Sequence, residues 1–143
     1  MTLKKDMIFL VDDDALFLKS LEIEFLLDEG YNVKTFATGE LCIDHLFINP
    51  EIIILDYHLD DIDKTAMNGI QTLDEIKKIN SDISVVMLSA QDKINVAIDC
   101  MHHGATDYVV KSETTFIRLK TIIKVINDRK KLEKEVNWYM ERL

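Results

Sequence analysis

The chain has 143 residues, 48% hydrophobic and 30% charged, which is one domain's worth of sequence with enough apolar material for a substantial core. Its formal charge of -9, from 26 acids against 17 Lys and Arg, argues against broad binding to nucleic-acid backbone or anionic lipid. No apolar run approaches membrane-spanning length and the N-terminal Met-Thr-Leu-Lys-Lys-Asp lacks the apolar stretch of a signal peptide, so a cytoplasmic protein with no membrane or direct nucleic-acid partner is expected.

In chain order, Met7-Ile8-Phe9-Leu10-Val11 is a fully apolar run that reads as a buried strand, and it ends in Asp12, Asp13 and Asp14. Residues 15–28 read as a helix with Leu18, Leu21 and Phe25 on one face, Asp14 as its N-cap and Gly30 just beyond its end. Residues 31–36 alternate apolar and polar, which suits a strand near a sheet edge. Thr38-Gly39-Glu40 opens a helix to about Phe47, and Asn49-Pro50 ends it. Ile52-Ile53-Ile54-Leu55 is a second fully buried strand carrying Asp56 at its end. An acidic loop, 57–68, with Asp60, Asp61 and Asp63, precedes a helix over 69–79 with the stripe Ile70, Leu73, Ile76.

Residues 83–88 form a further apolar strand ending at Ser89-Ala90. Ile94, Ala97, Ile98 and Met101 give the next helix its apolar stripe, and Gly104 closes it behind His102-His103, which reads as a helix C-terminal cap. Tyr108-Val109-Val110 is a short strand ending at Lys111, and from about Thr114 the pattern is helical to the last residue. Cys42 and Cys100 lack metal-ligand or disulfide spacing and read as small buried hydrophobes, and His45 as surface or helix packing.

Strict alternation of five β/α pairs implies a parallel sheet with helices on both faces. In such sheets the functional crevice lies outside the carboxyl ends of the strands, and there this chain delivers Asp12, Asp13, Asp56, Ser89 and Lys111. Carboxylates brought together repel unless a proton or a cation neutralises them. With only oxygen ligands on offer, a hard cation is implied, and an open site with few carboxylates suits Mg²⁺, or Mn²⁺ in its place. A nucleophilic carboxylate with a metal, an ammonium and a hydroxyl around it is suited to accept a phosphoryl group, whose charged oxygens need those donors.

Four stretches, Phe-Leu-Val-Asp12-Asp13-Asp14, Ile-Ile-Ile-Leu-Asp56, Val-Met-Leu-Ser89-Ala90 and Gly104-Ala-Thr-Asp-Tyr108-Val-Val-Lys111, stand in this order at the strand ends. The chain thereby resembles the receiver domain of two-component response regulators, the chemotaxis-receiver-like superfamily, over residues 5–129. The resemblance implies a doubly wound (βα)5 flavodoxin-like sandwich with strand order 2-1-3-4-5. It implies that Asp56 accepts phosphate from a histidine kinase or phosphotransfer protein, in a pocket made acidic by Asp12 and Asp13. Asp13, Asp56 and the backbone carbonyl of His58 would bind Mg²⁺, and Ser89 and Lys111 would grip the phosphoryl oxygens. Tyr108 matches the aromatic switch that turns inward as Ser89 moves, altering the face made by the fourth helix, fifth strand and fifth helix. His58 and Gln91 fall where the family tunes the lifetime of the acyl phosphate.

The chain departs from that pattern at three places. Leu59-Asp60 replaces the usual Met-Pro and the following glycine, Gly69, comes several residues late, an insertion over 59–68. Ser112 replaces the proline after the lysine, leaving that bond either trans or strained. Asp14 stands where an apolar or variable residue is usual.

Other classes of function are a receiver-like scaffold that never turns over phosphate and, from Asp61-Ile-Asp63-Lys-Thr65, a haloacid-dehalogenase-type phosphatase. The latter's first Asp should follow a strand directly, whereas Asp61 lies five residues past Asp56. Residues 130–143 extend the last helix, with Leu132, Val136, Tyr139 and Leu143 as a short apolar seam. That extension begins a linker to an output domain outside this chain, or pairs with a partner. Output by contact with a downstream protein, and a homodimer through either the seam or the switch face, are the partner expectations.

Overall fold

The structure, a computed structural model, describes residues 6–28 and 30–143; the N-terminal stretch read for a leader and the boundary at Lys5 lie outside the described residues. Strands β1 (Asp6–Val11), β2 (Tyr31–Phe36), β3 (Ile52–Asp56), β4 (Ser84–Ser89) and β5 (Asp107–Val110) form one parallel sheet in the order β2-β1-β3-β4-β5. They alternate with α1 (Ala15–Leu27), α2 (Gly39–Asp44), α3 (Gly69–Ile79), α4 (Ile94–His102) and α5 (Thr115–Met140). This is the doubly wound, flavodoxin-like architecture that the alternation and the resemblance imply.

Period-two alternation along the three inner strands divides the core into two layers. Phe9, Val11, Ile53, Leu55, Val85 and Met87 pack on one face against Cys42, Leu73, Ile76, Val96 and Cys100 of α2, α3 and α4. Ile8, Leu10, Ile52, Ile54, Val86 and Leu88 pack on the other against Leu21 and Phe25 of α1 and Leu119, Ile123 and Ile126 of α5. Both cysteines are buried, and β2, the alternating strand, is an edge strand.

Local chemistry corrects the sequence reading at several points. The second helix stops at Asp44 rather than Phe47, because His45 caps it and turns its Nδ1 onto the Leu41 carbonyl (2.8 Å). A 3₁₀ turn, Leu46–Ile48, then buries Leu46 and leaves Phe47 exposed, and Asn49 takes a left-handed φ of 63° before Pro50. In α4 the anticipated stripe is not the buried one. Val96 and Cys100 face the core, whereas Ile94 is 81% exposed and Ile98 and Met101 are about half exposed. The fourth strand extends to Ser89, and the last helix ends at Met140.

None of the peptide bonds among the described residues is cis. The Ser112 amide that a proline would lack donates to Thr115 Oγ1 (2.7 Å), helping to start α5. That helix crosses residues 129 and 130 without a break, and every residue from 131 to 143, including the seam, is exposed.

Candidate functional site

Register in the sheet sets the site. Val11 pairs with Leu55 and Asp56 with Leu88, so β1, β3 and β4 end at one level and their next polar residues meet. Carboxylate oxygens of Asp12, Asp13 and Asp56 lie within 4.8 Å of one another. Asp12 and Asp56 are almost fully buried, and Asp13 is half-buried. Lys111 enters from the end of β5, its Nζ 2.6 Å from Asp12 Oδ2 and 3.5 Å from Asp56 Oδ1.

The electrostatics follow from burial. Loss of solvent, with the neighbouring Asp12 charge, pushes the Asp56 carboxyl up to about 7, against the opposing pull of Lys111 and the His58 backbone N–H. For Lys111 burial pulls the ammonium down, but the hydrogen bond to Asp12 and the charges of Asp56 and Asp12 outweigh it and leave it raised. One ammonium therefore pairs with the two buried carboxylates of a group of three. An all-oxygen set this close, with uncompensated negative charge, fits a small hard divalent cation.

Ser89 is fully buried at the end of β4, and its Oγ accepts from the backbone N–H of Gln91 (3.1 Å). The hydroxyl of Tyr108 donates to the carbonyl oxygen of the same Gln91. One exposed residue thus holds both of the sequence-predicted switch residues. His58 turns its ring edge-on to Tyr57 (centroids 4.8 Å apart) and buries Nε2 with no hydrogen-bond partner among the described residues. Asp14 is the N-cap of α1, accepting from the amides of Leu16 and Phe17, both at 3.1 Å.

The structure also brings in groups that the sequence reading missed. Phe17, on the first turn of α1, lies under the Lys111 ammonium, 4.4 Å from Nζ to its ring centroid. Its spacing of four from Leu21 is the one sequence signal that it faces inward. Leu59, in the acidic loop, is 1% exposed and packs into the core beside β3, anchoring the start of the insertion. Gly69 anchors its end: a Cβ there would lie 2.5 Å from the Asp56 carbonyl oxygen. Between the anchors, the Ile62 N–H donates to Asp13 Oδ2 (3.2 Å), and the Met67 N–H to the Glu40 carboxylate of α2 (3.1 and 3.3 Å). A backbone donor leaves no trace in residue type.

Asp61, Asp63 and Thr65 do not form a second acidic site. Asp63 Oδ1 accepts from Thr65 N and Oγ1 in a local exposed turn, and Asp61 lies in the loop rather than at a strand end. The phosphatase reading lacks its required strand-end position.

A parallel doubly wound sheet with carboxylates, a hydroxyl and an ammonium converging at its carboxyl rim has the form of a receiver domain of two-component signalling. The family model described as response regulator receiver domain matches residues 8–124, and the chain belongs to that family. It is 28% identical over 127 residues to the luminescence regulatory protein LuxO of Vibrio campbellii, covering 87% of this chain and 27% of that one. It is 29% identical over 120 residues to the chemotaxis protein CheY of Bacillus subtilis, covering 82% and 96%. Among solved structures, the signal receiver domain of a LuxO protein from Vibrio parahaemolyticus superposes with a TM-score of 0.78 at 28% identity, covering 93% of this chain and 98% of that one. The chain spans about a quarter of the length of the LuxO relatives and nearly all of CheY. No helix among the described residues is long and apolar enough to cross a membrane.

Proposed function

We propose that this receiver accepts a phosphoryl group on Asp56 from a partner histidine kinase or phosphotransfer protein, and relays the change through α4, β5 and α5. The observation that carries the reading is the convergence of Asp13 and Lys111 on the buried Asp12 and Asp56. A carboxylate oxygen of Asp56 attacks phosphorus, and the P–N bond of the phosphohistidine breaks with the imidazole as leaving group. Lys111, within 3.5 Å of both Asp12 and Asp56, can shift onto the equatorial oxygens as negative charge accumulates there. Asp12, Asp13, Asp56 and the His58 carbonyl would hold Mg²⁺, which when bound neutralises carboxylates and phosphoryl oxygens alike.

The readout lies in the residues beside the acceptor. Ser89 Oγ accepts from the Gln91 N–H and keeps its own O–H to donate to a phosphoryl oxygen, and turning it that way would loosen its contact with Gln91, the residue whose carbonyl holds Tyr108. Moving Ser89 would therefore be felt at the residue that tethers the half-buried Tyr108. The exposed apolar stripe of α4, Ile94, Ile98 and Met101, supports a protein-binding role for the face beside Tyr108. His58 and Gln91, both flanking the site, would set how fast water reaches the acyl phosphate.

The test is incubation with Mg²⁺ and acetyl phosphate, followed by intact-mass measurement. A gain of a single phosphate that vanishes in Asp56→Asn is expected. No gain in the wild-type chain would leave the phosphorylation-independent scaffold as the reading.

A further inference from the structure

The loop over 59–68 is held at its ends by Leu59 and Gly69, and these contacts alone would leave its exposed middle free. Instead the middle is tied twice by backbone amides to carboxylates from other elements. Ile62 donates to Asp13, 49 residues away, and Met67 donates to Glu40 of α2, 27 residues away. Asp13 belongs to the acidic triad; Glu40 does not. The Asn68 cap adds rigidity behind them, since its side chain accepts from Gln71 N while Gln71 accepts from Asn68 N.

We infer that the inserted loop is an outer shell of the cation site: Ile62 is a positioning residue that orients the Asp13 carboxylate, and Glu40, by anchoring Met67, keeps Ile62 in place. The inference rests on the proposed Mg²⁺ site. Of the three acids Asp13 is the most accessible, and unlike Asp12 and Asp56 it has no ion pair with Lys111. Its rotamer is therefore the least determined by the rest of the site, and the Ile62 amide is what selects it. Hydrogen bonds that hold a carboxylate ligand in one orientation typically change metal affinity by about 10- to 100-fold when removed. The coupling is reciprocal: if the tied loop favours the cation, the bound cation favours the tied loop by the same factor. The insertion thus makes cation occupancy legible at α2, away from the face that phosphorylation is proposed to alter.

The experiment is a titration of the full chain with MgCl₂ followed by amide chemical shifts, with hydrogen exchange of Ile62 and Met67 measured with and without Mg²⁺. Ile62→Pro removes the donor at a position 76% exposed to solvent, and is expected to weaken Mg²⁺ binding roughly tenfold. Glu40→Ala, outside the triad, is expected to weaken it several-fold, and Glu40→Gln, whose amide oxygen still accepts from Met67, to restore most of the loss. In the wild type, Mg²⁺ should slow exchange at both amides. Wild-type affinity in Ile62→Pro and Glu40→Ala, with exchange indifferent to Mg²⁺, would overturn the inference while leaving the cation site intact. Absence of any Mg²⁺-dependent shift in the wild type would instead overturn the site, and the inference with it.

Discussion

Replacing Gly69 with alanine tests how firmly the loop over 59–68 is fastened to the end of β3. The new Cβ would lie 2.5 Å from the Asp56 carbonyl oxygen, 2.6 Å from Tyr57 Cα and 2.7 Å from the Tyr57 carbonyl oxygen. Ordinary contact begins at 3.4 Å, so the chain must yield by up to about 0.9 Å. All three neighbours are backbone, and that backbone is held: Tyr57 N–H donates to Leu88 O (2.8 Å) and Gly69 N–H to Tyr57 O (3.1 Å). Overpacking of this kind costs about 1–3 kcal/mol. Alanine's advantage over glycine in a helix offsets at most about 1 kcal/mol, and less at the first helical position. The net expectation is a loss of about 1–2 kcal/mol, or about 3–6 °C in Tm. Urea unfolding followed by far-UV circular dichroism measures it, with an unchanged m-value marking an effect on stability alone. A change below about 0.5 kcal/mol, or a stabilisation, would refute the reasoning, because surface substitutions without strain fall in that range. Since the strain falls on the carbonyl of Asp56, the proposed acceptor, phosphorylation by acetyl phosphate is expected to slow in the folded variant as well.

Other expectations can be checked on the same protein. Leu59→Ala should cost about 2–4 kcal/mol in urea unfolding, because Leu59 packs in the core although it sits in an acidic loop; a cost under 1 kcal/mol would mean that the loop start is not anchored there. Lys111→Met leaves Asp12 and Asp56 without their counter-ion and should destabilise the metal-free chain by about 1–3 kcal/mol, below the range for fully buried pairs because the ammonium retains some solvent. Equal or greater stability would count against the ion pairs. His103 Nδ1 meets Asp74 of α3 at 2.7 Å and its Nε2 lies 3.5 Å from Asp99 of α4. The hydrogen bond to Asp74, against slight desolvation and aided by both charges, raises the imidazole above its ordinary value. A group raised on folding stabilises fully below its unfolded pKa, so the advantage of wild type over His103→Gln should be present at pH 5.5 and fade as pH rises above about 6.5. A pH-independent difference would show that the imidazolium is not what bridges α3 and α4.

The sheet was legible because its inner strands are nearly pure apolar runs, and the site because the polar residue after each run falls at the same rim. Asp12, Asp56 and Lys111 needed only strand ends and residue type. The α4 stripe misled for a physical reason: Ile94, Ile98 and Met101 have helical spacing, but the core chose the adjacent face with Val96 and Cys100. Periodicity identifies an apolar face and says nothing about which of two faces is covered. The end of α2 escaped because a side chain, His45, took a backbone carbonyl. The ties of Ile62 and Met67 escaped because an amide donor is common to every residue but proline. His103 caps α4 as its place before Gly104 implied, whereas its bridge to Asp74 escaped because that partner is 29 residues away.

The unbroken α5 has a mechanical consequence. Its base leaves the sheet four residues after Lys111, and its first half is clamped through Leu119, Ile123 and Ile126. Residues 131–140 then project for about 15 Å at the rise of an α-helix. A clamped rod carries rotation without loss, so a tilt of about 5° at the sheet would move the far end by more than 1 Å relative to the clamp. Displacements too small to rearrange the rim become, at Trp138 and Tyr139, movements large enough to make or break a packed contact.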